Sequence, residues 1–384
     1  MASSLPATST RRAAFVYSDA LSQHVLSDTH PMKPERLRYT HELLRAYGAF
    51  EPNNALLVEP RPATDVEIAS YHTPAYIEAV RAYGRGDVPE NAPLFNFGPG
   101  DNPAYRGIFD ASALSTGASV VAAEMLMEGD VQAATSISGG LHHAMPGYAY
   151  GFCVFNDPVV AIKAMVAKGM RVAYIDIDCH HGDGVQNAFY DTDRVMTISL
   201  HESGTYLFPG TGWAQETGAG KGRGYSVNLP LYPYTTSDTY LWAFREVVPP
   251  LIERFAPDIL VTQLGIDTHY RDPITHLAQT VQGFSDVVRL FADMPYPWLA
   301  LGGGGYDLQA VARCWAQTFA IMSGQELSEE IPEPYASDHD ISSLYDPDDL
   351  PIKDDVRREA RTYAENGVLA LHGLIFPTHG IRTA

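Results

Sequence analysis

Val172-Ala173-Tyr174-Ile175-Asp176-Ile177-Asp178-Cys179-His180-His181-Gly182-Asp183-Gly184 is the stretch that decides the fold. Its first half is an apolar run without a turn residue, which reads as a strand buried on both faces. Its second half gathers three aspartates, two histidines and two glycines. Four more apolar runs read the same way: Val131–Ser138, Val195–His201, Asp258–Leu264 and Trp298–Leu301. Helical patterns alternate with them at Ala111–Glu128, Pro158–Lys168, Asp238–Phe255, Ala278–Ala292 and Leu308–Met322. The alternation predicts an α/β fold with a central, mostly parallel sheet flanked by helices. Each run opens into a polar or glycine-rich segment, including Gly139-Gly140-Leu141-His142-His143, Ser199-Leu200-His201, Gly265-Ile266-Asp267 and Gly302–Tyr306. Open α/β sheets bind ligands beyond the carboxyl ends of their strands, so these segments predict one site.

The composition narrows the function. A chain of 384 residues with 45% apolar and 19% charged residues has ample material for a core, which excludes a disordered or fibrous protein. A net charge of −20 repels phosphates, so no nucleic-acid partner is expected, and cationic substrates are favoured. Cys153, Cys179 and Cys314 have neither metal-clip nor redox spacing, which suggests a reducing compartment. No apolar run reaches the length of a membrane span, and the apolar stretch after Arg12 is too short for a secretory core. These features predict a cytoplasmic protein with no membrane partner. Residues Glu326–Asp355 hold eleven acids and one base, Lys353, and read as a solvated surface wrap. A helix from Asp354 to about Asn366, ended by Gly367, should follow. A main body over 1–325 and an acidic extension over 326–384 are therefore expected.

Residue types at the predicted sheet edge suggest the chemistry. Residues two apart on a strand share a face, so Asp176, Asp178 and His180 can point toward one spot. Such a group at the end of an apolar strand asks for a cation, and Asp267 can complete a three-ligand set. Two carboxylates and an imidazole leave coordination positions open, as in a catalytic site. Zn²⁺ is the first expectation, and the oxygen-rich set also tolerates Fe²⁺. His142 and His143 read as general acid–base groups, with Asp176 and Asp183 as carboxylate partners. The glycines before Tyr306 would let its phenol reach a developing oxyanion. Gly218–Gly224 lacks the spacing of a phosphate loop, and Cys153 reads as a buried, inert thiol.

Taken in order, these motifs resemble the histone deacetylase superfamily, with its arginase-like three-layer fold, over about residues 15–325. The resemblance rests on His30–Leu37, Ser138–Ala144, Gly151-Phe152-Cys153, Asn156-Asp157, Asp176–Gly184, Phe208–Gly212 and Gly302–Tyr306. It implies a zinc-dependent hydrolase that removes acetyl groups from lysine side chains with metal-activated water. Asp178, His180 and Asp267 would be the metal ligands. His143, helped by His142, would act as base and then as acid, the two backed by Asp183 and Asp176 respectively, and Tyr306 would stabilise the oxyanion. Phe152 and Phe208 would wall the acyl-lysine tunnel with Gly151, Ile274 and Gly304, Asp101 would hold the substrate at the rim, and Arg36 would stand near the acetate exit. The resemblance also implies structural K⁺ at two sites. One would use Asp176, Asp178, His180, Ser199 and Leu200, and the other Phe189, Thr192, Val195 and Tyr225.

Two departures bear on substrate. Thr268–Pro273 follows Asp267, and Ala144-Met145-Pro146-Gly147-Tyr148 follows His143, where eukaryotic histone-type enzymes have other residues. Both point to the bacterial acetoin-utilisation branch. An acetylpolyamine or other small acetylated amine is the rival substrate, but residues 75–107 are too short for a channel-narrowing insertion. A two-manganese hydrolase would need a second full carboxylate set. A non-catalytic acetyl-lysine reader would lack catalytic groups, and none is missing here. The sequence leaves the oligomeric state open.

Overall fold

A computed structural model describes residues 11–23, 25–347 and 349–382. The first ten residues, part of the terminus read as lacking a secretory signal, lie outside them. Eight strands form one sheet: β1 (Ala13–Val16), β2 (Ala55–Val58), β3 (Ala133–Ser136), β4 (Val172–Asp176), β5 (Val195–Glu202), β6 (Ser226–Leu231), β7 (Ile259–Gln263) and β8 (Trp298–Leu301). Their order is β2-β1-β3-β8-β7-β4-β5-β6, and every pairing is parallel. The predicted α/β class therefore holds.

Five strands match the sequence reading, and β1, β2 and β6 are additional. β1 and β2 are four-residue runs that the sequence reading did not single out, and β2 is only partly buried. β6 carries Asn228 and Pro230, which obscure its strand pattern. It tolerates the proline because it is an edge strand, where a missing N–H leaves no ladder bond unmade.

The register explains why one edge carries the chemistry. Ser136 pairs with Leu301, Leu301 with Gln263, Gln263 with Asp176, and Asp176 with Ser199. These five residues form one line across the sheet, and the chain after each enters the same rim. Below the rim the strands are buried along their length, as expected for a sheet covered on both faces. Helices Ile108–Glu128 and Asp157–Ala167 pack together on one side. Glu35–Ala46, Leu308–Ser323, Val281–Asp293 and Ser237–Phe255 make successive contacts on the other.

The final helix runs Asp354–Leu374 and so passes the glycine expected to end it. It lies against β6 and the helix Ser237–Phe255. Upstream, every described acid of the 326–355 stretch is exposed except Asp346. The Asp346 carboxylate is 3% exposed and accepts from Arg313 Nη1 at 2.9 Å and from His269 Nε2 at 2.8 Å. Among the described residues no helix is long and apolar enough to cross a membrane.

Candidate active site

At the rim, carboxylate oxygens of Asp178 and Asp267 and an imidazole nitrogen of His180 lie within 4.8 Å of one another, and all three residues are buried. His180 Nδ1 stands 3.1 Å from Asp178 Oδ1 and 2.9 Å from Asp267 Oδ2. Asp176 does not join them. The strand ends at Asp176, so the two-residue alternation that placed all three side chains together no longer holds beyond it. The set fits a divalent cation chemically. Burial and the neighbouring Asp178 hold Asp267 well above the usual carboxylate range. Two buried carboxylates share one imidazole here, and a cation would neutralise the excess negative charge.

Asp176 instead accepts from His142 Nδ1 at 2.7 Å, and Asp183 from His143 Nδ1 at 2.7 Å. The two Nε2 atoms are 3.0 Å apart, so the pair can hold one proton between them. Their environments push them in opposite directions. Burial opposes a charge on His142, but Asp176 and Asp178 outweigh it and raise its pKa to about 9. Burial, then the charge of His142, lowers His143 to about 4 despite Asp183. The opposed shifts favour a charge on His142 over one on His143, which leaves His143 the available base of the pair.

Tyr306 approaches from the glycine run. Gly303 and Gly305 have φ of 143° and 126°, and a Cβ on Gly303 would stand 2.2 Å from Gln263 Nε2, so only glycine fits there. The Tyr306 N–H donates to Asp272 Oδ2 at 2.9 Å, and Asp272 Oδ1 takes the Ile274 N–H at 3.0 Å. Burial, then Asp267 and Asp178, keeps the phenol protonated and able to donate. Phe152 meets Tyr306 edge-on at 5.9 Å, and Phe208 meets His143 at 5.1 Å and His180 at 6.3 Å. Gly151, the two histidines, Asp178, His180 and Tyr306 border a cavity of about 10 Å³, room for about one water. Gly304 donates to Asp178 Oδ2 at 2.8 Å, and Ile274 is half-buried.

Asp101 is exposed, and its carbonyl accepts from His30 Nε2 at 3.2 Å. Buried Arg36 donates to the carbonyls of Gly303 and Gly305 at 2.8 and 3.1 Å. It also borders a second cavity of about 100 Å³ that shares Met32 and Leu141 with the first. The residues expected around one K⁺ lie where β4 and β5 end, with Ser199 Oγ 2.8 Å from His201 Nδ1 and the Leu200 carbonyl accepting from Tyr240. Phe189, Thr192, Val195 and Tyr225 lie around the end of helix Asp183–Phe189 and the entries to β5 and β6. Cys153 is buried and its thiol is pushed up by burial, which suits an inert residue.

Several site residues escaped the sequence reading. Gln263 Nε2 donates to Asp178 Oδ2 at 2.7 Å and to the Gly140 carbonyl at 3.1 Å, tying two loops together. Tyr174 donates to Asp176 Oδ2 at 2.6 Å. Its signal was present, since it precedes Asp176 by two on one strand face. Asp157, which the sequence reading quoted as a motif without giving it a role, takes N–H groups of Gly140 and Leu141 at 3.0 and 2.9 Å and so fixes the loop carrying His142.

A buried carboxylate–imidazole metal group, flanked by two carboxylate-backed histidines on a parallel α/β rim, defines the class of metal-dependent amidohydrolases with this fold. A histone deacetylase domain matches residues 30–322, and the chain belongs to that family. It is 41% identical over 330 residues to the acetoin utilization protein AcuC of Bacillus subtilis, spanning 84% of this chain and 85% of that one. It is 39% identical over 325 residues to human histone deacetylase 1, spanning 84% and 67%. A solved histone deacetylase homologue complexed with SAHA superposes with a TM-score of 0.84 at 31% identity, covering 93% of this chain and all of the other. The chain is therefore a hydrolase of amide bonds.

Proposed function

We propose that the protein is a zinc-dependent deacetylase that hydrolyses the acetamide of an acetylated lysine side chain. The observation that carries this is the carboxylate-backed pair, with His142 held at 2.7 Å by Asp176 and His143 at 2.7 Å by Asp183, beside the three-ligand group. Asp178, His180 and Asp267 would hold the metal, which when bound polarises a carbonyl and acidifies water. Neutral His143 takes the proton of the attacking water, then passes it to the departing amine. Charged His142 lends electrostatic support and stays oriented by Asp176. The Tyr306 hydroxyl donates to the developing oxyanion. Phe152 and Phe208 hold the methylene stem and exclude water. Arg36 and the cavity it borders receive the acetate. Asp101 anchors the substrate at the rim, and the residues around Ser199-Leu200 and around Phe189, Thr192, Val195 and Tyr225 would hold K⁺, which would supply positive charge that steadies these loops. Three free, buried cysteines suit a cytoplasmic setting.

The similarity to AcuC and the residues after His143 favour a non-histone substrate. Turnover of an acetyl-lysine peptide, acetylspermidine and acetylputrescine by the zinc-loaded protein tests the reading. Preference for the peptide is expected, and preference for the polyamines would overturn the substrate. Tyr306→Phe should lower turnover about 10²–10³-fold with metal content intact. Unchanged turnover would remove the tyrosine from the mechanism.

A further inference from the structure

The loop after the histidine pair carries two tyrosines that the proposed chemistry does not use. Their backbone is fixed by two tight turns. The Met145 N–H donates to the Tyr148 carbonyl at 3.0 Å, and Tyr150 and Cys153 exchange bonds of 3.0 and 2.9 Å. Half-buried Tyr150 lies 4.8 Å from Phe208, and Tyr148 stands edge-on to Tyr150 at 6.0 Å. Tyr148 is 39% exposed. The aromatic wall beside His143 therefore continues outward through Phe208 and Tyr150 to a ring in solvent.

We propose that Tyr148 and Tyr150 form a recognition shelf for a positively charged group that the substrate carries beside its acylated amine. The proposal rests on the deacetylase reading only for the direction from which substrate enters. Two rigid rings offer negatively polarised faces at small entropic cost. Burial, then Asp183, Tyr148 and Asp101, raises the Tyr150 hydroxyl and keeps it neutral. Asp101 is held beside the opposite wall. His30 binds its carbonyl and packs on Phe152 at 4.4 Å, and Asn102 takes the Phe152 N–H at 3.1 Å. Aromatic faces with a carboxylate at hand select a cation. The −20 net charge adds to that preference at a distance. A flanking arginine of a peptide and the secondary ammonium of an acetylated polyamine share this chemistry.

The test compares kcat/KM within each protein for matched pairs. One pair is an acetyl-lysine peptide with Arg or Gln beside the acetyl-lysine. The other is acetylspermidine against its analogue of equal length with a methylene in place of the secondary amine. The wild type should favour the cationic member of one pair about threefold to tenfold. Tyr148→Phe should keep that ratio, Tyr148→Ala should bring it near one, and Tyr148→Arg should reverse it. The pair that responds identifies the source of the cation. Equal rates in both pairs, or a ratio that survives Tyr148→Ala, would overturn the shelf. Calorimetric binding of the same pairs to metal-free wild type and Tyr148→Ala should show the same ratios. Loss of all hydrolysis with the binding ratio retained would sink the deacetylase reading and leave the shelf standing.

Discussion

Gly304 shows how tightly single residues constrain the metal group. A Cβ there would stand 2.1 Å from Asp267 Oδ2 and 3.0 Å from Asp178 Oδ2. Its backbone is not left-handed, so alanine is excluded by contact rather than by conformation. We expect Gly304→Ala to weaken zinc binding at least about tenfold, because a ligand carboxylate must move and a misplaced ligand costs about that much or more. Metal content after dialysis against a zinc buffer measures this. Gly373→Ala is the control, since nothing lies within 4 Å of its Cβ position and it should retain the metal. Retention by both variants would contradict the assigned ligand set. At this scale the side chains with distinctive chemistry, such as Asp178, His180, Asp267, His142 and His143, could be named from sequence. Their division of work was named as well, Asp176 and Asp183 behind the histidines and Asp178, His180 and Asp267 toward a metal, although strand alternation alone would have placed Asp176 with Asp178 and His180. Which carboxylate turns toward a histidine and which toward a metal depends on where β4 stops. Gln263 and Asp272 act by bridging loops that are distant in the chain.

Among elements, the last helix departs most from its sequence pattern. An interior glycine costs about 1 kcal/mol relative to alanine, which is why Gly367 reads as a stop. The helix continues because Gly367 faces β6, where a Cβ would stand 2.8 Å from Leu229 Cδ1. Ala360, Ala364, Val368 and Leu371 form the buried stripe on that face, at helical spacing. The helix thus packs against a proline-containing edge strand that would otherwise be open to pairing. Leu371 is fully buried, so Leu371→Ala should lower the unfolding free energy by about 3 kcal/mol at unchanged m-value. Urea denaturation followed by circular dichroism measures it. A loss under about 1 kcal/mol would mean that the helix rests loosely on the sheet. Strand length did not set the limit of legibility. Trp298–Leu301 was readable at four residues, whereas the equally short Ala13–Val16 and Ala55–Val58 were missed and stand in the sheet through their parallel pairing.

For the molecule as a whole, two opposed trends meet as pH falls from neutrality. The net charge of −20 makes partial protonation relieve self-repulsion, while buried neutral bases resist it. His72 is the clearest such base. It is 1% exposed, and its Nε2 accepts the Asn156 N–H at 2.9 Å, a bond that protonation would break. Burial lowers its pKa to about 4 against an ordinary value of 6.5. The unfolded chain therefore binds a proton on passing below 6.5, and the folded chain binds it only near 4. The stability His72 confers is complete above 6.5 and is lost as pH falls through that window. Between pH 7.5 and 5 the loss from this residue alone is about 2 kcal/mol. Below it, Asp346 adds a second loss. Burial opposes its charge, but the His269 hydrogen bond and Arg313 hold it at about 2, so its contribution disappears between about 4 and 2. His72→Gln keeps an acceptor for Asn156 and cannot titrate. It should show a urea midpoint that falls less than the wild type's between pH 7.5 and 5. Equal falls in both proteins would mean that charge relief or another buried base governs the acid limb, and that His72 takes up its proton without opening the core.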